Sequence, residues 1–298
     1  MASSAAVRKR RWQGLLFISP WLVGFVIFTL YPFISSIYYS LTSYDVISPP
    51  EFIGLENYAS MMTDPLVRKA LYNTFYYAIF SIPLSTLWGI CVALMLNLKV
   101  RGMTIYRTLF YIPSIVPVVA SSMVWLWLLN PQYGIVNGLI YLIFKIPGPG
   151  WITDPKLAKP SLILMGLWGI GQTALIYLAS LQDVPQSLYE AAELDGASAF
   201  QKVINVTIPM ISPVILFNVI MGLIGTFQYF TQAYIMTGGG PADSTLFYAL
   251  YLYNSAFRFF KMGYASAMAW LMFLVIFLLT VLTFRLSSRW VYYGGDVR

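Results

Sequence analysis

Two sets of polar residues interrupt an otherwise apolar chain, and each could do a different kind of chemistry. The first runs Tyr189-Glu-Ala-Ala-Glu-Leu-Asp-Gly-Ala-Ser-Ala-Phe-Gln201 and continues to Val206-Thr-Ile-Pro209. Its acidic side chains sit among alanines and a glycine. Another backbone can therefore approach closely while Glu190 and Glu193 offer charged partners. The second set is neutral: Trp168, Gln172, Asn218, Gly222, Gly225, Gln228, Tyr229 and Gln232. Amides, a phenol and an indole can hold an uncharged, hydroxyl-rich solute, but they supply neither a nucleophile nor a base. With no histidine and a single cysteine, Cys91, the sequence excludes an intrachain disulfide, a Cys/His zinc site and any scheme that needs an imidazole. The expectation is a protein that is not an enzyme, with no catalytic residue, no metal ligand and no cofactor of its own.

The elements that must position these residues are membrane helices. At 298 residues, 59% hydrophobic and only 10% charged, the chain is too apolar for a water-soluble domain. A charge at mid-bilayer costs about 2.5–3.5 kcal/mol on insertion scales, so spans are written as gaps between charges. Six gaps exceed about 18 residues: 12–44, 70–98, 108–144, 160–182, 203–242 and 262–284. They predict an all-α membrane protein, one domain over residues 1–298. Its six transmembrane helices lie near 12–42, 70–98, 104–129, 160–182, 206–237 and 264–285.

An even number of spans puts both termini on one side. Eleven of the 18 Lys and Arg fall there, including the run Arg8-Lys-Arg-Arg11, which marks that side as cytoplasmic. The net charge of +7 then reflects membrane-flanking basic residues, and no nucleic acid is implied. The apolar stretch after Arg11 is about twice as long as a signal-peptide core, so it is read as retained. Pro20 and Pro32 within it predict a kink.

The outer loops, 45–69, 130–159 and 238–261, carry turn material such as Pro147-Gly-Pro-Gly150 and Gly238-Gly-Gly-Pro241. Residues 135–144 are apolar but too short to span, which suits an interfacial helix. The short Lys99-Val-Arg-Gly102 link makes the second and third spans antiparallel neighbours. No GxxxxGK[ST] run occurs, so the chain does not cradle ATP phosphates by that route.

The cytoplasmic segment 183–205 reads as helix, turn, helix. Ser187-Leu-Tyr-Glu190 has capping-box spacing, with Pro185 suited to a helix start and Asp183 an alternative cap. Asp195-Gly196 makes the turn, helical character resumes from Ala197, and Pro209 marks the approach to the fifth span. On these grounds alone, a docking helix and a solvated loop helix with ordinary caps fit equally.

The spacing Glu190-Ala-Ala, three residues, Gly196, nine residues, Val206-Thr-Ile-Pro209 resembles the EAA motif of permeases in binding-protein-dependent ABC importers. That motif ends Ile-x-Leu-Pro; here the aliphatic pair is Val and Ile. Asp195 before the glycine and Phe200-Gln201 after it are similar to the carbohydrate-uptake branch, the maltose and glycerol-phosphate type. So are Phe52-Ile-Gly-Leu-Glu-Asn-Tyr58 and Met236-Thr-Gly-Gly-Gly-Pro-Ala-Asp-Ser-Thr245.

The resemblance implies a type I ABC importer fold in the cytoplasmic (inner) membrane of a prokaryote. Its partners would be a second homologous permease in a heterodimer, two cytoplasmic ATPase subunits that hold ATP and Mg, an extracytoplasmic solute-binding protein, and membrane lipid. It also implies coupling residues: Glu190 bonding the ATPase, Ala191 and Ala192 in close contact, Asp195 and Gly196 at the turn, and Pro209 at the base. The outer glycine loop would face the delivery protein.

The substrate of such a permease must pass between helices. Offsets of 100° per residue place Asn218, Gly222, Gly225, Tyr229 and Gln232 within about an 80° wedge of the fifth span, with Gln228 at its flank. Trp168 and Gln172 share a face of the fourth at i, i+4. Such residues also serve helix packing. The gaps contain no ionised side chain, which disfavours a stand-alone secondary transporter built on an intramembrane carboxylate. An importer of a sugar or oligosaccharide is the expectation; the alternative is another solute such as glycerol-phosphate.

Overall fold

The computed structural model describes residues 4–293, with side chains from residue 12 onward. The basic run Arg8–Arg11 and the end of the C-terminal tail lie outside the described side chains. In chain order the elements begin with α1 (Ser4–Phe25), a π turn (Val26–Leu30), α2 (Tyr31–Ser40), β1 (Thr42–Ser43), β2 (Glu51–Phe52) and α3 (Glu56–Thr63). Then come α4 (Pro65–Leu96), α5 (Met103–Ile115), α6 (Val118–Leu128), α7 (Ile135–Phe144), α8 (Ala158–Trp168) and α9 (Gly171–Gln182). The rest are α10 (Gln186–Leu194), α11 (Ala199–Lys202), a π turn (Val203–Thr207), α12 (Ile208–Phe227), α13 (Thr231–Met236), α14 (Tyr248–Tyr253), a π turn (Asn254–Arg258) and α15 (Met262–Ser287).

Four stretches are long and apolar enough to cross a membrane: Trp12–Ser40, Pro65–Leu96, Ala199–Phe227 and Met262–Ser287. Two more are bent pairs, α5 with α6 at 97° and α8 with α9 at 50°, giving six if each pair is one span. Large apolar side chains such as Phe17, Phe28, Phe80, Leu142 and Phe277 stand more than half exposed. In water that surface would be prohibitive; against lipid it is the expected exterior. α7 is the short helix over the apolar stretch 135–144.

The chain sorts into two compact units. One comprises residues up to 63 together with 252–271. Within it, β1 and β2 pair antiparallel, Thr42 opposite Phe52, and Asn57 binds the hairpin through donation to the Ser40 and Thr42 carbonyls at 3.0 and 2.9 Å. Tyr58 donates to Ser40 Oγ at 2.9 Å. The Asn-Tyr pair of the 52–58 motif is therefore a structural clamp. Trp270 adds a bond to Ser36 at 3.1 Å and a ring contact with Phe33.

The second unit, residues 64–251 and the described residues from 272 on, carries both polar sets. Its core packs α4 (Ile90, Val92, Ala93, Leu96) against α9 (Ala174, Tyr177, Leu178, Leu181) and α12 (Ile211, Ile215). A second cluster joins Ala78, Leu223 and Phe227 to Met272, Val275, Ile276 and Leu279 of α15. Arg107 of α5 donates to the Leu96 carbonyl at the end of α4 at 3.1 Å, satisfying one of the carbonyls a helix end leaves open across the 99–102 link.

One cation lies deeper than the charge gaps imply. Lys159, in the first turn of α8, is only 9% exposed. Its ammonium donates to Asn73 Oδ1 at 2.9 Å and lies 4.9 and 4.7 Å from the ring centroids of Tyr72 and Tyr76. Asn73 in turn donates to the Asp243 and Leu246 carbonyls at 2.8 and 3.0 Å. A buried cation held by an amide and two ring faces thus fastens α8 to α4, and the same amide fastens α4 to the segment after the glycine run.

Candidate functional site

The hairpin over residues 183–207 forms much as its sequence specifies, with one correction. The capping box lies at α11 and not at α10. Ser198 Oγ accepts from Gln201 N while Gln201 Oε1 accepts from Ser198 N at 2.8 Å. α10 starts at Gln186 with Pro185 as its N-cap residue and no side-chain cap, so neither Ser187 nor Asp183 serves there. Proline needs no partner for an amide proton it lacks, and its fixed φ already suits a helix start.

The far end of α10 closes in a Schellman turn. Asp195 is the C-cap, the Gly196 amide donates to Glu193 O at 3.0 Å, and the Ala197 amide donates to Ala192 O at 2.9 Å. Gly196 has φ +76° with open space around it. It is needed for its backbone conformation and not for a close approach within this chain.

Glu190 and Ala191 are exposed and Ala192 is half-buried. Pro209 sits in the first turn of α12. Two exposed apolar side chains, absent from the set of small and acidic residues that the sequence singles out, crown the hairpin: Leu194 at 90% and Phe200 at 73%. A leucine and a phenylalanine amid charged neighbours at the turn were the available signal.

Two cross-links bind α10 to α11 and to the π turn that leads into α12. Lys202 Nζ meets Glu193 Oε1 at 2.7 Å, and the Tyr189 hydroxyl lies 3.0 Å from Thr207 Oγ1. Tyr189 and Glu193 are four residues apart and share one face of α10.

The neutral set is arranged differently from the sequence reading. α12 ends at Phe227, Gln228 is its C-cap, and the chain breaks before α13. Tyr229 and Gln232 therefore leave the helical face computed for them. Asn218 donates back to the Val214 carbonyl of its own helix at 2.9 Å. Trp168 and Gln172 are separated by the α8–α9 bend, and Gln172 is exposed on α9.

What the structure gathers instead is three helix breaks. A cavity of about 220 Å³ is lined by Pro113, Ser114 and Val116 from the α5–α6 break and by Gly166, Trp168 and Gly169 from the α8–α9 break. Tyr229 and Gln232, from the α12–α13 break, complete this wall, with Ser121 of α6 also lining the cavity. A second cavity of about 190 Å³ shares Gly166 and Tyr229 and extends to Ser81, Ser85, Gly222 and Gly225.

The α5–α6 break has a local cause. Val116 precedes Pro117 and is extended at ψ 128°, because the proline ring disfavours the helical conformation before it. Gly171 lies so near α5 that a Cβ there would come within 2.3 Å of the Phe110 carbonyl oxygen. Non-helical backbone at membrane depth is tolerated where it lines a cavity, since the freed amides and carbonyls need partners. The Trp168 ring makes an edge contact with Trp125, and Tyr229 stacks obliquely on Tyr77 at 4.4 Å.

The lining of the two cavities thus contains aromatic faces, hydroxyls and one amide, and no Asp, Glu, Lys or Arg. Sequence reasoning named Trp168, Gly222, Gly225, Tyr229 and Gln232 of this set. It missed Ser114, Ser121, Ser81, Ser85 and Gly166. Pro113 and Pro117 inside one charge-free gap, and Gly166-x-x-Gly169-x-Gly171 inside another, were the signals. Among the described residues no group of three His, Cys, Asp or Glu gathers as a metal site.

Comparison with known proteins bears on both sites. Residues 81–292 match the family model of the binding-protein-dependent transport system inner membrane component. The chain is 41% identical over 297 residues to the probable ABC transporter permease protein YesP of Bacillus subtilis, covering 98% of this chain and 96% of that one. It is 36% identical to the lactose transport system permease protein LacF of Rhizobium radiobacter, over 91% of this chain and 93% of that one. Among solved structures, a chain of the bacterial alginate ABC transporter in complex with an alginate pentasaccharide-bound periplasmic protein superposes with a TM-score of 0.84. That match has 22% identity and covers 94% of this chain and 96% of the other.

Proposed function

The chain belongs to the family of binding-protein-dependent transport system inner membrane components, and from that premise we propose that it is the permease subunit through which a neutral sugar or oligosaccharide enters the cell. It is an inner-membrane ABC transporter permease; the substrate, the residues and the partners are our reading. The observation that carries the substrate class is the convergence of three helix breaks on a charge-free cavity between Trp168, Tyr229 and Gln232. Ring faces stack on the apolar faces of a pyranose, while hydroxyls, an amide and freed backbone groups meet its hydroxyls. A phosphorylated solute such as glycerol-phosphate would call for a cationic lining, which these residues do not provide. The names of relatives that carry lactose or trehalose and maltose agree with a sugar.

One of two cytoplasmic ATPase subunits, carrying ATP and Mg, would dock on the 183–207 hairpin, and the other on the second permease. Glu190, Ala191, Ala192, Asp195 and Gly196 would form the polar and small-residue contact, Leu194 and Phe200 its apolar anchors, and Pro209 the base. Termini would then be cytoplasmic, a second permease would complete the pathway, and a periplasmic solute-binding protein would deliver the sugar.

The test is uptake by the reconstituted complex in proteoliposomes, with lactose, maltose and trehalose against glycerol-3-phosphate as labelled probes. ATP-dependent accumulation of a neutral saccharide, reduced by Gln232→Ala, is the expected result. Accumulation of glycerol-3-phosphate alone would overturn it.

A further inference from the structure

If α10 receives force from an ATPase, that force must reach the cavity, and the local hydrogen bonds specify a route. From Ala199 to Phe227 the backbone is one helical rod of 29 residues, about 40 Å long. The broken segment bearing Tyr229 comes directly after it. On the other side, α10 joins α9 through residues 183–185 with no side-chain cap.

Between α10 and the rod stand the two cross-links. The Glu193–Lys202 pair is solvated, with Glu193 62% exposed, so it adds little rigidity. The second is better shielded: Thr207 is only 2% exposed and Tyr189 is half-buried. Thr207 Oγ1 donates to the Lys202 carbonyl at 3.3 Å, which leaves its oxygen to accept from the Tyr189 hydroxyl at 3.0 Å. Thr207 closes the π turn Val203–Thr207. The extra residue of a π turn rotates the side chains beyond it relative to a plain α-helix and here aims Thr207 at α10.

We propose that Tyr189 is a positioning residue of the transport cycle: through the relay Tyr189 O–H to Thr207 O–H to Lys202 C=O it makes α10 move as one piece with the rod Ala199–Phe227, so that displacement of α10 is delivered to the cavity wall at Tyr229. The inference rests on the docking role proposed for the hairpin. Neither residue lines the two cavities; each acts by holding helix to helix.

The experiment uses the complete reconstituted complex in a Cys91→Ser background, with spin labels in pairs at Gln186 and Met221 and at Gln186 and Leu98. Distances are measured without nucleotide and after trapping with MgATP and vanadate. In the parent complex the Gln186–Met221 distance should hold through trapping while Gln186–Leu98 shifts. Tyr189→Phe and Thr207→Val should leave both nucleotide-free distances and the vanadate-sensitive ATPase activity in place, yet let Gln186–Met221 diverge on trapping. Thr207→Ser, which keeps the hydroxyl, should behave as the parent. Fixed Gln186–Met221 distances in Tyr189→Phe and Thr207→Val would overturn the inference alone, as would distances already altered without nucleotide, which would mean a purely structural bond. A parent complex in which trapping moves no label pair would instead sink the docking role itself.

Discussion

The hairpin over residues 183–207 and the cavity at the three helix breaks are both polar interruptions of the same membrane unit, yet they are built by opposite means. The hairpin closes on itself: its Schellman turn, its capping box and its Glu193–Lys202 pair all link residues within ten positions of one another. The cavity has no local logic of that kind. Ser114, Trp168 and Gln232 meet across about 120 residues of chain because a proline, a close glycine and a helix terminus place breaks opposite one another. Local bonding leaves the hairpin free to present a surface. Long-range convergence leaves the cavity sensitive to any change in how the helices pack.

The contrast can be broken or sharpened by substitution. The largest effect is expected at Gly196→Val. A β-branched residue at φ +76° costs about 1–2 kcal/mol and undoes the turn. ATP-dependent uptake and co-purification with the ATPase should be lost, while membrane insertion, monitored by protease protection, stays intact. Full uptake by this variant would remove the hairpin from the mechanism.

Next comes Gly171→Ala on the cavity side. Its added Cβ meets α5 backbone, the Phe110 carbonyl oxygen at 2.3 Å and Tyr111 Cα at 2.8 Å, so overpacking should destabilise by about 1–3 kcal/mol. Thermal unfolding of the detergent-purified complex should show a lowered Tm, with the hairpin's docking unaffected below that temperature. An unchanged Tm would mean that the α5–α9 approach is looser than described.

Gln232→Ala removes one hydrogen-bonding group worth about 0.5–1.5 kcal/mol. The expected outcome is a KM for sugar raised by up to about tenfold with assembly unchanged. If the variant simply fails to assemble, Gln232 is packing and not pathway.

The smallest effect is expected at Glu193→Gln. An exposed ion pair contributes at most about 1 kcal/mol and is screened by salt. Uptake should fall slightly at low ionic strength and match the parent at high salt. A large loss there would promote this pair above the Tyr189–Thr207 bond as the main brace.

The legibility of the two regions differs for the same reason. Turn residues, caps and small side chains act over three to six positions, so Asp195-Gly196 reads directly as a turn, although the capping-box spacing points to Ser187–Glu190 when the box belongs to Ser198–Gln201. Both sites present a serine with Glu or Gln three residues later; Pro185 already starts α10, which leaves Ser187 inside the first turn. The polar wedge of the fifth span assumes an unbroken helix through Tyr229 and Gln232, whereas α12 stops at Phe227; Gly222, Gly225 and Tyr229 nonetheless line one cavity. Lys159 reads as a loop cation because the charge-gap rule has no knowledge of the Asn73 amide and the two tyrosine rings that shelter it.

The amino-acid sequence by itself determined that this protein lives in lipid, that it carries no imidazole chemistry and no intrachain disulfide, and that residues 183–205 form helix, turn, helix. These properties come from transfer free energy and backbone conformation, which belong to short segments. Only the tertiary structure decided which polar residues face a common space. That depends on what backbone lies across from each helix break, which is not a property of the segment that contains it.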